Sequence, residues 1–312
     1  MREILQFLAL ISVSLPIAAQ DKMYTIMDEP LYECIYTYTI NGEVQETYYT
    51  ALQIGRQFTR FYDYSAYAVD SLSFMPDASE EEMGILTGRR QTAMFFFDAE
   101  FFQNLPSDKM TVVQEAVPHR FSYQEDLSAF DWVIKFERDS TICGYSCKEA
   151  TTTYGGRKWT VWFSPDIPAS SGPWKFNGLP GLVLAAKDSE GLHEFKAIVF
   201  RKGISPIFKP EHTDVHESTR EKVLKAKATS EKNIAAGIKP DKSEIKDYFI
   251  IMNLSGDRLD YYNGMAVRNR PNGFQPLEIT NCDGTCFAKE NVGVACFGPS
   301  AVLFKPCCGT GY

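Results

Sequence analysis

Tyr145-Ser146-Cys147-Lys148-Glu149-Ala150-Thr151-Thr152-Thr153, then Tyr154-Gly155-Gly156-Arg157, then Lys158-Trp159-Thr160-Val161-Trp162-Phe163-Ser164 reads as two strands joined by a turn. The second run sets Trp159, Val161 and Phe163 against Thr160 and Trp162, so the strand predicted there has apolar contacts on both faces. Alternation with a period of two belongs to strands, and paired glycines suit a tight reversal. Strands with so short a join lie side by side and antiparallel.

The same pattern continues on both sides. Upstream, Leu31–Thr39 and Val44–Ile54 alternate around Asn41-Gly42, a tight-turn signal, and Gln57–Tyr62 follows as a third strand. Further strands are predicted at Thr111–Val117, Trp132–Phe136, Leu182–Lys187, His193–Phe200 and Tyr248–Leu254, with turns at Asp188-Ser189-Glu190-Gly191 and Asn272-Gly273. Asp77–Gly88 has helical character, with Ser79 as its cap. Met94–Phe97 suits either a strand or a helix end. Residues 206–246 are charged and poor in aromatics. They carry a helix-compatible run from Ser218 to Ala236 that ends near Gly237, with the thin apolar stripe of a surface insertion. The expected fold is mainly β (α+β): a curved antiparallel sheet around one core, with one or two helices packed on it.

The first twenty residues read as a secretory signal peptide: Arg2, an apolar run from Ile4 to Ile17, then Ala18-Ala19-Gln20. No later run approaches the roughly 20 apolar residues of a membrane span. A single domain over 21–280 and a cysteine-rich tail over 281–312 complete the expected organisation. The eight cysteines, Cys34, Cys143, Cys147, Cys282, Cys286, Cys296, Cys307 and Cys308, agree with an oxidising periplasmic or extracellular location. Their pairing stays open. A net charge of −8 without a basic stripe argues against nucleic acid as a partner.

Trp162-Phe163-Ser164-Pro165-Asp166-Ile167-Pro168, Gly172-Pro173-Trp174-Lys175-Phe176 and Gly178-Leu179-Pro180-Gly181-Leu182-Val183-Leu184 together resemble the GLPGLI family, a set of exported Bacteroidetes proteins. Leu52–Gly55 with Phe61-Tyr62, Ile142–Ala150, and Pro276-Leu277-Glu278-Ile279 look like its flanking blocks, so the resemblance covers roughly residues 24–279. Val183 replaces the motif's usual isoleucine, and the tail extends past the family's usual end. The resemblance implies an exported protein of undefined role and carries over no catalytic residue.

The central motif has two readings. As a ligand lip, Gly178 and Gly181 let the backbone approach a guest, Trp174 and Phe176 stack on it, and Leu179, Pro180 and Trp162 line it. As a structural element, it is a rigid reversal between two strands. His212 and His216, four apart, would share a helix face as weak metal candidates, but the metalloprotease pattern is missing. No Gly-x-Ser-x-Gly elbow is present, and His119 and His193 read as sheet residues. Cys143 and Cys147 lie about 13 Å apart in a straight strand, so either Gly144-Tyr145 bends the chain or each pairs elsewhere. No cofactor is expected. The leading expectation is a non-enzymatic envelope protein that binds a hydrophobic ligand or a protein partner. The alternatives are an interaction module acting through the tail and, third, a metal-dependent hydrolase.

Overall fold

The computed structural model describes residues 24–73, 97–127, 130–210, 214–252, 258–268 and 270–279. The expected signal peptide, the helix expected at Asp77–Gly88, His212 and the cysteine-rich tail lie outside the described residues. In chain order the elements are β1 (Tyr24–Asp28), β2 (Tyr32–Asn41), β3 (Gln45–Ile54), β4 (Thr59–Asp63), α1 (Tyr64–Ser73), β5 (Ala99–Gln103), β6 (Lys109–Ala116), β7 (His119–Asp126), β8 (Val133–Ile142), β9 (Tyr145–Tyr154), β10 (Arg157–Ser164), β11 (Leu182–Asp188), β12 (His193–Lys202), β13 (Ile207–Pro210), β14 (Val215–Glu217), α2 (Arg220–Ala235), β15 (Tyr248–Met252), β16 (Arg258–Tyr262) and β17 (Met265–Ala266).

Twelve of these strands form one sheet, ordered β14-β7-β6-β5-β4-β3-β2-β12-β11-β10-β9-β8. Every pair is antiparallel except β14 with β7, so the sheet is mixed by one short strand. Period-two alternation gives the sheet an inner and an outer face. Cys34, Tyr36, Tyr38 and Ile40 of β2 point into the main core, together with Phe61, Phe101, Trp159 and Phe195. Ile35, Ala51, Tyr62 and Tyr67 form a smaller cluster under α1 on the other face. The sheet is curled enough that Tyr145 of β9 meets Phe200 of β12 edge to face, with ring centroids 5.4 Å apart, although β10 and β11 lie between those strands.

The β9–β10 hairpin forms as the sequence reading expects. Gly155 and Gly156 both have positive φ (60° and 75°), and Tyr154 is registered with Arg157. The β2–β3 reversal differs. Asn41 pairs with Gln45, so Gly42-Glu43-Val44 makes a three-residue loop in place of a two-residue turn. Asn272 secures that loop from a distance: its Oδ1 accepts from the Val44 amide at 3.0 Å. A second hairpin turns at Cys143-Gly144, both with positive φ, so the chain bends one residue earlier than Gly144-Tyr145.

The expectation of a wholly superficial segment at 206–246 is corrected by packing. Ile207, Phe208 and Val223 are fully buried, and Lys227, Ser230 and Glu231 are buried too. Thr219 caps α2 by accepting from the Lys222 amide, and Gly237 closes the helix with φ 68°. The shared helix face for His212 and His216 is also corrected: His216 sits on strand β14, beside Phe121 of β7. Among the described residues, no helix is long and apolar enough to cross a membrane.

Candidate functional site

The loop from Pro165 to Gly181 leaves β10, crosses the hollow of the curled sheet and returns as β11. It is knitted to its own ends. The Leu182 amide donates to the Ile167 carbonyl at 3.2 Å, and the Val183 amide to the Ser171 carbonyl at 2.9 Å. Gly181 has φ 152°, and a Cβ there would stand 2.1 Å from the Ser164 carbonyl oxygen. Only glycine permits that approach, so here the family motif's glycine serves contact of the chain with itself.

The side chains of the loop fill the hollow. Trp174, Phe176 and Leu179 are buried, whereas Gly178 and Pro180 face solvent and Trp162 is half-buried. Trp174 has a left-handed backbone (φ 55°), which aims its indole at Trp159, 5.4 Å away, and at Phe176, 5.2 Å away. Trp132 donates from Nε1 to the Asn177 carbonyl at 2.8 Å. Burying an aromatic of this size contributes on the order of 4–6 kcal/mol from area alone.

Between Trp174 and Phe176, Lys175 carries its ammonium into an ion cluster, with its side chain only 1% exposed. Its Nζ lies 2.7 Å from Glu125 and 2.5 Å from Glu278, and donates to the Tyr123 hydroxyl at 2.9 Å. Arg220, at the start of α2, closes the cluster against Glu278 and stacks over the Tyr154 ring. The Tyr154 hydroxyl donates to Glu125 at 3.0 Å. Four elements therefore meet on one lysine: the loop, β7, the β9–β10 hairpin and the Pro276–Ile279 segment. The last is seated by the Ile279 amide, which donates to the Gly155 carbonyl at 2.7 Å.

Burial works to lower the Lys175 pKa, but Glu278 and Glu125 outweigh it and hold the ammonium above its ordinary range. Burial also pushes the Tyr123 phenol up, and the two glutamates add to the effect. The lysine is thus a cation and the phenol stays protonated at neutral pH. Neither is the free amine or phenolate that nucleophilic or general-base chemistry requires.

Sequence reasoning missed this cluster and a second one on the outer face. There Arg60 lies buried against the Tyr62 ring, 3.6 Å from its centroid, and pairs with Asp70 at 3.3 Å and Glu100 at 3.0 Å. These groups line a cavity of about 270 Å³. Asp63 and Glu115 beside it are held by backbone amides and by Arg120. The signal for Arg60 is its place as a cation directly before the aromatic pair Phe61-Tyr62 in a five-residue strand. His216 has its ring 5.4 Å from that of His119, and among the described residues no three His, Cys, Asp or Glu are placed to hold an ion.

His193, fully buried at the start of β12, shares a 2.9 Å hydrogen bond between its Nδ1 and the Tyr38 hydroxyl. Burial, reinforced by the nearby Arg157, pulls its pKa down to about 3, with the Pro276 carbonyl opposing. The unfolded chain binds the proton first, near pH 6.5. The contribution of neutral His193 to stability is therefore complete above pH 6.5 and is lost as pH falls toward 3, at up to about 1.4 kcal/mol per pH unit. Urea unfolding between pH 4 and 7 is expected to show this slope, and His193→Gln is expected to flatten it. An equal slope in the variant would assign the dependence to other groups.

Residues 146–185 match the family model described as "Protein of unknown function (Porph_ging)", which is the GLPGLI family. No curated protein matches this chain. Among solved structures, one of PNGF-II in space group P21 aligns with 65% of this chain at 13% identity and a TM-score of 0.45. The aligned part is 34% of the PNGF-II chain, about a third of its length. The Pseudomonas aeruginosa MucA/MucB complex aligns with 76% of this chain and 72% of its own, at 8% identity and a TM-score of 0.27. The LolA superfamily protein NE2245 from Nitrosomonas europaea aligns with 57% and 88%, at 7% identity and a TM-score of 0.23.

Proposed function

We propose that this chain, which carries the GLPGLI-family segment at its centre, is a non-enzymatic exported envelope protein that binds a protein partner through its outer surface. The observation that supports this most is the state of the hollow. Trp174, Phe176 and Leu179 occupy the place an apolar guest would take, and Lys175 is neutralised by Glu125 and Glu278. A lipid carrier keeps an open apolar cavity for its guest, and a catalyst keeps a reactive group near solvent. This loop does neither.

A second reading is favoured by the exposure of Gly178 and Pro180 at the loop's outer tip. There the loop is a plug that a hydrophobic ligand displaces, and Trp174 and Phe176 stack on the ligand once released. Native mass spectrometry of protein purified gently from its own envelope separates the two. The bare chain, or the chain with a polypeptide, is expected. A stoichiometric adduct of lipid mass, lost on denaturation, would replace the first reading with the second. Truncation of residues 281–312 tests the role of the tail: loss of the partner on truncation would place the interaction in that segment.

A further inference from the structure

The described cysteines are Cys34, Cys143 and Cys147, and all three are thiols in this structure. Cys34 on β2 and Cys147 on β9 are fully buried in the main core, whereas Cys143 is exposed in the β8–β9 turn. The curl of the sheet lays that turn over the β2–β12 pair. The Cys143 Sγ donates to the Ala197 carbonyl at 3.3 Å. Ala197 is registered opposite Tyr36, one inward-facing position from Cys34 on the same strand. Two residues after Cys143, Tyr145 packs edge to face on Phe200, and Phe200 is registered directly opposite Cys34. Two independent contacts thus bring the hairpin tip to the strand position where Cys34 sits.

We propose that Cys34 and Cys143 form a disulfide bond under oxidising conditions, tying the tip of the β8–β9 hairpin across the curl to β2. The hairpin's own register argues against the nearer alternative in sequence. Ile142 pairs with Tyr145 and Ser140 with Cys147, so Cys147 lies two residues, about 7 Å of strand, beyond the last pair before the turn. Cys143 stands on the far side of that pair, outside the Cα reach of a disulfide to Cys147.

The chemistry requires a disulfide donor, either glutathione disulfide or a thiol–disulfide oxidoreductase. Cys143, being accessible, gives up its proton and attacks one donor sulfur, forming a mixed disulfide and releasing one donor thiolate. The Cys34 sulfur, deprotonated in turn, attacks Cys143 Sγ and expels the second donor thiolate. Two protein thiols are oxidised, and one donor disulfide is reduced to two thiols. Burial pushes the Cys34 thiol pKa up, so the second step is slow in the folded protein and proceeds while the core is still open.

Peptide mapping of the full chain tests the assignment. Reduced, denatured protein is refolded in a glutathione redox buffer, quenched with iodoacetamide and digested without reduction. The expected product is a cross-linked peptide pair containing Cys34 and Cys143, with neither residue alkylated. Cys143→Ser is expected to leave Cys34 as a thiol alkylated only on unfolding. The disulfide is also expected to form more slowly when oxidant is added after folding than when it is present throughout. Recovery of alkylated Cys34 or Cys143 from the oxidised wild-type chain would overturn the proposal, as would finding either linked to another cysteine.

Discussion

Lys175→Met is expected to lower the stability of the folded chain by about 3–5 kcal/mol, read as a shift of the urea midpoint at constant slope. The apolar replacement matches the lysine stem in length, so lost packing is not the main cost. The cost comes from what remains: Glu278, 7% exposed, and Glu125 lose the ammonium at 2.5 and 2.7 Å. Arg220 stays near both, but its side chain is 38% exposed and neutralises them less completely. Adding Glu278→Gln to Lys175→Met is therefore expected to restore more than half of the loss, because the double variant has one uncompensated charge fewer. A loss below about 1 kcal/mol for the single variant, in the range of an exposed ion pair, would show that water reaches this cluster.

Gly181→Ala is expected to abolish accumulation of folded protein. The added carbon would meet the Ser164 carbonyl oxygen at 2.1 Å, its carbon at 2.6 Å and Pro165 Cα at 2.9 Å. All three are backbone atoms that end β10, and Ser164 is registered with Leu182 immediately after the glycine. Relief would require opening the β10–β11 pair where the loop is anchored. Gly144→Ala is the control. It has φ 83°, and nothing lies within 4 Å of the added carbon, so it carries only the left-handed backbone cost of about 1–2 kcal/mol. Soluble yield and thermal melts of the two variants are expected to differ widely. Similar melts would mean that the β10–β11 junction is pliable.

The hairpins were legible in the sequence because their information is local. Alternation and paired glycines define β9 and β10 within twenty residues, and the register follows from the turn. β7 was not legible: His119–Asp126 is mostly polar, and of its residues only Tyr123 is buried. β5 is hidden for the opposite reason, since Phe101 and Phe102 point to opposite faces of the sheet and erase the period. α1 follows β4 without an intervening residue, and its N-cap is the strand's own last residue, Asp63, whose Oδ1 accepts from the Ser65 amide at 2.7 Å, so strand and helix signals overlap there. His216 illustrates the reverse error, in which a spacing of four suggested a helix that pairing with β7 overrides.

The same division explains the site. That the motif matters was readable from its glycines and aromatics; its use was not. Trp174 and Phe176 serve equally well, in isolation, as a guest's stacking partners or as the filling of a hollow. The choice depends on Trp159, Trp132 and the curl that encloses them. Lys175 looked like a stray charge because its counter-ions stand 50 residues before it and 103 after it, at Glu125 and Glu278. No local pattern reports a partner at that separation.

That last distance also sets an order in time. The loop places its lysine in the core, but one of the two carboxylates that make burial tolerable comes from Glu278, and the Ile279 amide completes the seat on the Gly155 carbonyl. A nascent chain that has emerged only as far as β12 can form its hairpins, yet it must leave the lysine hydrated or bury it half-paired. The stable state becomes available only once the chain through Ile279 is present. Until then the chain persists as partly assembled strands with open edges, the species most prone to aggregate and most in need of chaperones.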